Sequence, residues 1–384
     1  SVAFFITGIS TLSHYGLNID EPIHFIRGQA YLTLLTKWRS FYTPEELSGT
    51  RVSDWKIQGY NGAYFLENDS GHPALNGILA AASNRIFYEK LGILGDLESY
   101  HLFEIFISSL LVFLVYYMAA TEWGRFAGIA AALAMSLYPL FWGESHFNIK
   151  DPIETTFFAY TVYFLYQGIQ RGKAKWFLVS SVWFALAFAT KFNILFLPFI
   201  IVPYLLIRFR RNIARLRLGI LKKIPLTVYI SLVTYVIIVL GIHLLTRPYL
   251  WLDPIGRFQQ IIGYYQGIGT GKFYQPSYII KGWNMYPLIF VIASTPIVIL
   301  VLACLGIMYG GTTLRRNKNS LYSLLLLWLA VPILRVMWPG SSIYSGVRQI
   351  MEYIPAMAVL AGLGALVVRN FLTKISGKAS IVSI

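Results

Sequence analysis

Apolar runs of bilayer length recur along this chain, and that recurrence limits its fold more than any other feature. About 20 consecutive apolar residues cross a hydrocarbon core as a helix, because only a helix or a closed barrel satisfies its backbone without water. Runs bounded by charge, Pro or Gly predict ten spans, near 1–13 (partial), 101–120, 125–142, 152–170, 176–190, 191–208, 224–246, 284–309, 320–338 and 350–368. With 56% hydrophobic residues, 13% charged residues and a mean hydropathy of +0.58, the chain lacks the charge to cover a soluble surface. The expectation is an all-α polytopic membrane protein with one domain over residues 1–384. The opening run, SVAFFITGIS, is too short to span alone, so the first helix is expected to be truncated; it shows no signal-peptide pattern. No C-terminal soluble domain is expected.

Charge orients this array. The short segments 121–125, 170–175, 208–223, 310–319 and 369–384 hold 17 of the 32 Lys and Arg residues, opposed only by Glu122. Such an excess marks cytoplasmic loops, and it places both termini inside. The net charge of +15 then meets anionic lipid headgroups and is no nucleic-acid footprint. The run RFRRNIARLRLGILKK reads as a membrane-surface anchor. The lone Cys304, within an apolar run, excludes an internal disulfide and reads as a small buried residue.

The opposite, extracytoplasmic face then collects the acidic pair Asp20–Glu21, the loop GESHFNIKD, the segment 247–282 and the stretch WPGSSIYSGVR. The long external piece 14–100 holds two segments, 20–38 and 73–93, that read as amphipathic interfacial helices. Asp20, His24 and Arg27 are spaced i, i+4, i+7 and share one helix face. Asp20 before Pro22, Asp151 before Pro152 and Asp253 before Pro254 each read as helix starts. Glu154, three residues after Asp151, adds a near capping box, and Asp253 reads as a cap alone.

Acids gathered on one face could serve general-base chemistry, cation binding or proton movement. Cations on the same face point instead to an anionic ligand. Lys191 is the sharpest of these, at the tip of a 35-residue hairpin, 175–209, too short for two full spans of about 20 residues each. Arg348 and Arg247 each begin or end a span on this side, where a guanidinium fork suits phosphate oxygens. His72 opens the second interfacial helix. No GxxxxGK[ST], HExxH or CxxC motif is present, which leaves soluble nucleotide hydrolysis and standard zinc chemistry without support.

Five segments in order, DEPIHF, the HP at 72–73, FNIKDPIETTFFAY, FATKFNILFLPFIIVPYLL and YSGVRQIMEYIPAMAVLAG, resemble the GT-C glycosyltransferases of the protein O-mannosyltransferase and aminoarabinose-transferase type. The resemblance covers most of the chain. It implies the GT-C fold and an inverting transfer of a sugar from a polyprenyl- or dolichyl-phosphate carrier to a lipid, glycan or protein hydroxyl outside the cytoplasm. Carried over by position, Asp20 is the candidate general base, Glu21 its partner and Asp151 an acid supporting acceptor or base. Lys191 and Arg348 match positions near the carrier phosphate, with Arg27, Arg247 and His72 as further donor-binding candidates. Two departures stand out: His72 occupies a position that is lysine in some relatives, and Gly71 replaces a carboxylate that in some binds a metal. A divalent metal is therefore in doubt, and no other cofactor is implied. The rival readings are a flippase or transporter of a lipid-phosphate-linked sugar, and a non-catalytic partner that has kept the fold. The absence of internal symmetry and the long external segments favour the enzyme.

Overall fold

The structure, a computed structural model, describes residues 1–213, 226–269, 276–314, 320–341 and 343–375. Most of the basic run 208–223 lies outside the described residues, as do 315–319 and 376–384. The helices in chain order are α1 (Val2–Thr11), α2 (Glu21–Lys37), α3 (Pro44–Leu47), α4 (Gly62–Glu67), α5 (Leu75–Asn84), α6 (Asp96–Trp123), α7 (Arg125–Ser136), α8 (Pro139–Phe147), α9 (Asp151–Arg171) and α10 (Ala174–Phe188). There follow α11 (Pro198–Ile213), α12 (Leu226–Thr246), α13 (Pro254–Gly269), α14 (Tyr286–Ser294), α15 (Ile297–Leu314), α16 (Ser320–Met337) and α17 (Tyr353–Ile375). The only sheet among the described residues is a two-residue antiparallel ladder, Ile279–Ile280 against Trp283–Asn284.

Each expected span coincides with a helix or a bent pair of helices. Among the described residues, Asp96–Trp123, Phe192–Phe209 and Tyr353–Ile375 are long and apolar enough to cross a bilayer unaided. Two more runs are bent: α7 and α8 meet at 59°, and α14 and α15 at 111°. Proline explains both breaks, since Pro139 and Pro296 lack the N–H that would continue the preceding helix. The exposed surface is apolar where hydrocarbon is expected, with Leu232, Val236, Ile237 and Leu240 outward on α12 and Ile297, Val298 and Val301 outward on α15.

At the centre stands α17, buried from Tyr353 to Gly364 and packed by α6, α7, α15 and α16. Its closest neighbour is α15, because Gly306 and Gly364 let the backbones touch: a Cβ on Gly364 would lie 1.9 Å from the Leu302 carbonyl oxygen. A second close crossing positions α2 against α5. A Cβ on Gly28 would fall 2.0 Å from the Gly77 carbonyl oxygen, so α2 and α5 meet backbone to backbone.

Three expectations change. Helix α2 does not lie in the interface with a polar face outward, because His24, Arg27, Gln29 and Thr33 are buried with Phe25 and Tyr31. Its polar side chains find partners inside the protein: Gln29 donates to Asn84 (2.9 Å) and Tyr100 (2.7 Å). The stretch GESHF is no loop but completes α8, leaving only residues 148–150 as connector. Cys304 is exposed on α15 and not buried.

Candidate active site

Five elements converge on one cavity of about 590 Å³. Asp20 reaches it from the start of α2, Lys150 and Asp151 from the start of α9, and Lys191 from the break after α10. Arg348 comes from a 3₁₀ turn just before α17. That turn follows Ser345 and Gly346, both in the left-handed region at φ 57° and 68°, where the chain reverses. His72, ahead of α5, completes the rim, and Phe188, Phe192, Phe196, Phe258 and Ile262 make an apolar wall.

Acids and cations alternate inside. Arg348 donates to Asp20 at 3.1 Å and lies 3.8 Å from Asp151. Lys150 approaches the same Asp20 oxygen at 3.4 Å, and Lys191 donates to Asp151 at 2.7 Å and to the Gln349 carbonyl at 3.2 Å. The Asp20 side chain is 39% exposed, against 5% for Asp151, so only one of the two acids is open to an incoming group. Burial pushes the Asp151 carboxyl up, but Lys191, Arg348 and Lys150 outweigh it and hold the group at about 2. Asp20 follows the same pattern: burial raises it, and Lys150 and Arg348 bring it below the usual carboxylate range. Burial lowers Lys150, partly offset by Asp151 and Asp20.

The capping readings divide. Asp253 is a side-chain cap, accepting from the Gly256 N–H at 3.0 Å. Asp20 holds the N-cap position of α2, but its side chain makes no cap hydrogen bond and turns into the cavity. The near capping box at Asp151 and Glu154 does not form. Asn148 Oδ1 instead accepts from the N–H groups of Lys150 and Asp151, both at 3.0 Å, which frees the Asp151 carboxylate for Lys191. Glu154 is buried beside Glu352.

Of the remaining sequence candidates, Glu21, Arg27 and Arg247 lie outside the cavity, while His72 lines it. Asp20, His24 and Arg27 do share a helix face, but Arg27 is buried and donates to Asp69 (2.7 Å) and to the carbonyls of His72 (2.6 Å) and Pro73 (2.9 Å). Arg247 donates to the carbonyls of Asp69 (3.4 Å) and Gly71 (2.5 Å). Together they hold the loop that presents His72, whose Nδ1 pairs with the Tyr265 hydroxyl at 2.9 Å. Burial, then repulsion from Lys150, drives both His24 and His72 well below the ordinary imidazole value, so both are neutral. Glu21 points away, toward His101 at 3.2 Å.

Two further cavity cations, Lys150 and Arg335, carry only a weak signal in the sequence. Lys150 was visible as the residue before Asp151 in KDP; Arg335 reads there as an ordinary last-turn cation. In the structure Arg335 lines the cavity, stacks over Phe196 at 4.6 Å and approaches Glu352 at 3.8 Å.

The residues do not fit a metal at the position where some relatives hold one. Gly71 offers no ligand, Asp69 is committed to Arg27 and to the Tyr31 hydroxyl (2.9 Å), and His72 faces Tyr265.

Residues 72–238 match the family model for dolichyl-phosphate-mannose-protein mannosyltransferase. ArnT from Cupriavidus metallidurans, solved bound to undecaprenyl phosphate, superposes with a TM-score of 0.62 at 18% identity, over 97% of this chain and 62% of ArnT. The Archaeoglobus fulgidus oligosaccharyltransferase, tethered with an acceptor peptide carrying an NVT sequon, gives 0.54 at 12% identity, over 100% of this chain and 52% of that one. AglB from the same archaeon, in complex with an inhibitory peptide and a dolichol-phosphate, gives 0.50 at 11% identity, with the same coverage of 100% and 52%. The chain thus spans less than two thirds of the length of these structures, and at such identities the likeness concerns the fold. No curated protein matches the chain. Helix content, apolar spans and these superpositions agree with the resemblance read from the sequence: the chain is an integral membrane protein with the fold of the GT-C glycosyltransferases.

Proposed function

We propose that this protein is an inverting glycosyltransferase that moves a sugar from a polyprenyl-phosphate donor to a hydroxyl acceptor on the extracytoplasmic side. The observation that carries the reading is the cavity itself, where an accessible carboxylate, Asp20, shares a chamber with Lys150, Lys191 and Arg348 beside an aromatic wall. A prenyl chain suits the wall, and a phosphate suits the cations. The undecaprenyl phosphate in ArnT and the dolichol-phosphate in AglB support the same donor class.

Transfer breaks the bond between the anomeric carbon and the phosphate oxygen and forms one to the acceptor oxygen on the opposite face of the sugar. The carrier phosphate leaves with the bonding pair, and the acceptor's proton must be removed. Lys191 and Arg348 hold the phosphate as its charge grows, and Asp20 takes the proton. Lys150 and Arg348 together depress the basicity of Asp20. A phosphate that shares Arg348 loosens that hold, so the base strengthens when the donor is in place. Asp151, clamped by Lys191, keeps the cations in position.

The test is sugar transfer from radiolabelled polyprenyl-phosphate sugar by the full chain in detergent. Asp20→Asn should abolish transfer and retain donor binding, and Lys191→Ala or Arg348→Ala should weaken donor binding. Full activity in Asp20→Asn removes the base assignment. Intact sugar-lipid crossing a vesicle membrane, with none transferred, would favour the flippase.

A further inference from the structure

Glu21 leaves the reaction chamber and enters a second polar cluster that the proposed transfer does not use. It faces His101 and Glu104, one helical turn apart on α6 and hence on the same side of that helix. All three are buried, at 1%, 0% and 0% exposure, and their donor atoms lie within 4.8 Å of one another. Among the described residues this is the one group of three or more His, Cys, Asp or Glu side chains so arranged. None of them lines the cavity.

The cluster is electrostatically incomplete. Glu104 lies against the Glu21 carboxylate and near the Asn148 backbone N–H, yet neither of its buried oxygens makes a well-aligned hydrogen bond, and neither do Glu21 Oε1 and His101 Nδ1. Glu21 Oε2 accepts from the Asn18 N–H at 2.8 Å, and His101 Nε2 lies 3.2 Å from Oε1 and 3.3 Å from Oε2. Two carboxylates set side by side and removed from water need either a shared proton or a bound cation. Lys150 and Arg348 are engaged with Asp20 and Asp151. A proton on His101 Nε2 serves Glu21 and leaves Glu104 orphaned.

We propose that Glu21, His101 and Glu104 form a buried site for one divalent transition-metal ion of the zinc class. One imidazole nitrogen and two carboxylates suit such an ion, a second oxygen of one carboxylate filling the fourth position, and its double charge cancels both acids. The ring proton then sits on His101 Nδ1, which leaves Nε2 free to ligate. The ion is a structural pin: it ties the first residue of α2 to α6, one residue from Asp20. Glu21 is thereby a positioning residue for the candidate base.

The binding claim stands apart from the transfer reading, because it is tested without activity. The full chain in detergent micelles is stripped with a chelator, incubated with zinc chloride, gel-filtered and assayed for metal by elemental analysis. The expected result is about one zinc per wild-type chain, a raised melting midpoint, and loss of both in Glu104→Gln and His101→Gln. Asp20→Asn should keep its zinc whatever becomes of transfer. Wild-type protein that retains no more zinc than Glu104→Gln overturns the proposal, and means the acids share a proton instead. Should both variants fail to fold, cobalt loading of the wild type decides: ligand-field bands from a His-carboxylate environment support the site, and their absence overturns it.

Discussion

Replacing Lys191 with methionine tests the charge arrangement most directly. Its ammonium group lies 2.7 Å from Asp151, with side-chain exposures of 13% and 5%, so solvent screens the pair little. The Asp151 carboxyl sits at about 2, against an ordinary 3.8, even though burial alone would raise it. At about 1.4 kcal/mol per pKa unit, the cations stabilise the ionised native state by a net of roughly 2 kcal/mol. Lys191 is the foremost of them, while Arg348 at 3.8 Å and Lys150 remain in the variant. The expected cost of Lys191→Met is therefore about 2–3 kcal/mol, at the low end for breaking a buried pair. Asp151→Asn removes the charge left behind, so the double variant should be less damaged than the two single costs together, by about 1–2 kcal/mol. The measurement is equilibrium unfolding of the four proteins in detergent. Additivity within about 0.5 kcal/mol would show that the pair is not formed and would sink the argument. The same linkage sets a pH window. Because the folded carboxyl is depressed, its contribution is complete above the unfolded value of 3.8 and is lost as pH falls toward about 2. That acid-side loss should be absent in Asp151→Asn.

Three further outcomes follow from the geometry. His24 and His72 are held neutral by burial and by Lys150, so the folded state resists a proton that the unfolded chain accepts; the melting midpoint should fall as pH drops below the ordinary imidazole value of 6.5, and His24→Gln with His72→Gln should flatten that fall. In Lys150→Ala the Asp20 carboxyl loses a depressing charge, so the acid limb of a pH–rate profile should move to higher pH; an unmoved limb would remove Asp20 as the titrating base. Gly77→Ala would place a Cβ 2.4 Å from the His24 carbonyl oxygen, with backbone on both sides and nothing to yield; it should cost about 1–3 kcal/mol by thermal unfolding.

The helical array was legible because bilayer thickness imposes a length on every apolar run, and each expected span found its helix. The cavity residues were legible for a related reason. Asp20, Asp151, Lys191 and Arg348 each stand where an apolar run stops, and a charge at such a boundary is visible without knowing what it faces. What the sequence could not show is which way a side chain turns. Asp20 and Glu21 are neighbours with the same chemistry, yet the helical rotation of about 100° per residue sends one into the chamber and the other to α6. Asp151 and Glu154 have capping-box spacing, but Asn148 took the capping duty from three residues upstream. Helix α2 read as amphipathic because its polar residues could have met water. Only tertiary contacts reveal that they meet Asn84, Tyr100 and Asp69 instead.

The loop at 69–73 carries a consequence for how this protein can vary. Arg27 and Arg247, 220 positions apart in the chain, grip it mostly through peptide carbonyls, at Asp69, Gly71, His72 and Pro73. A carbonyl is the one group every amino acid supplies, so much of the instruction that shapes this loop is written in the two arginines, with the Asp69 carboxylate as the one loop side chain that answers Arg27. Ser70 could be exchanged freely, while a lysine in place of either arginine would lose the fork that spans two oxygens. Scanning residues 69–73 for a motif would therefore find only Asp69 and His72: the rest of the loop's spelling is kept elsewhere, in two buried side chains that never touch the chamber they shape.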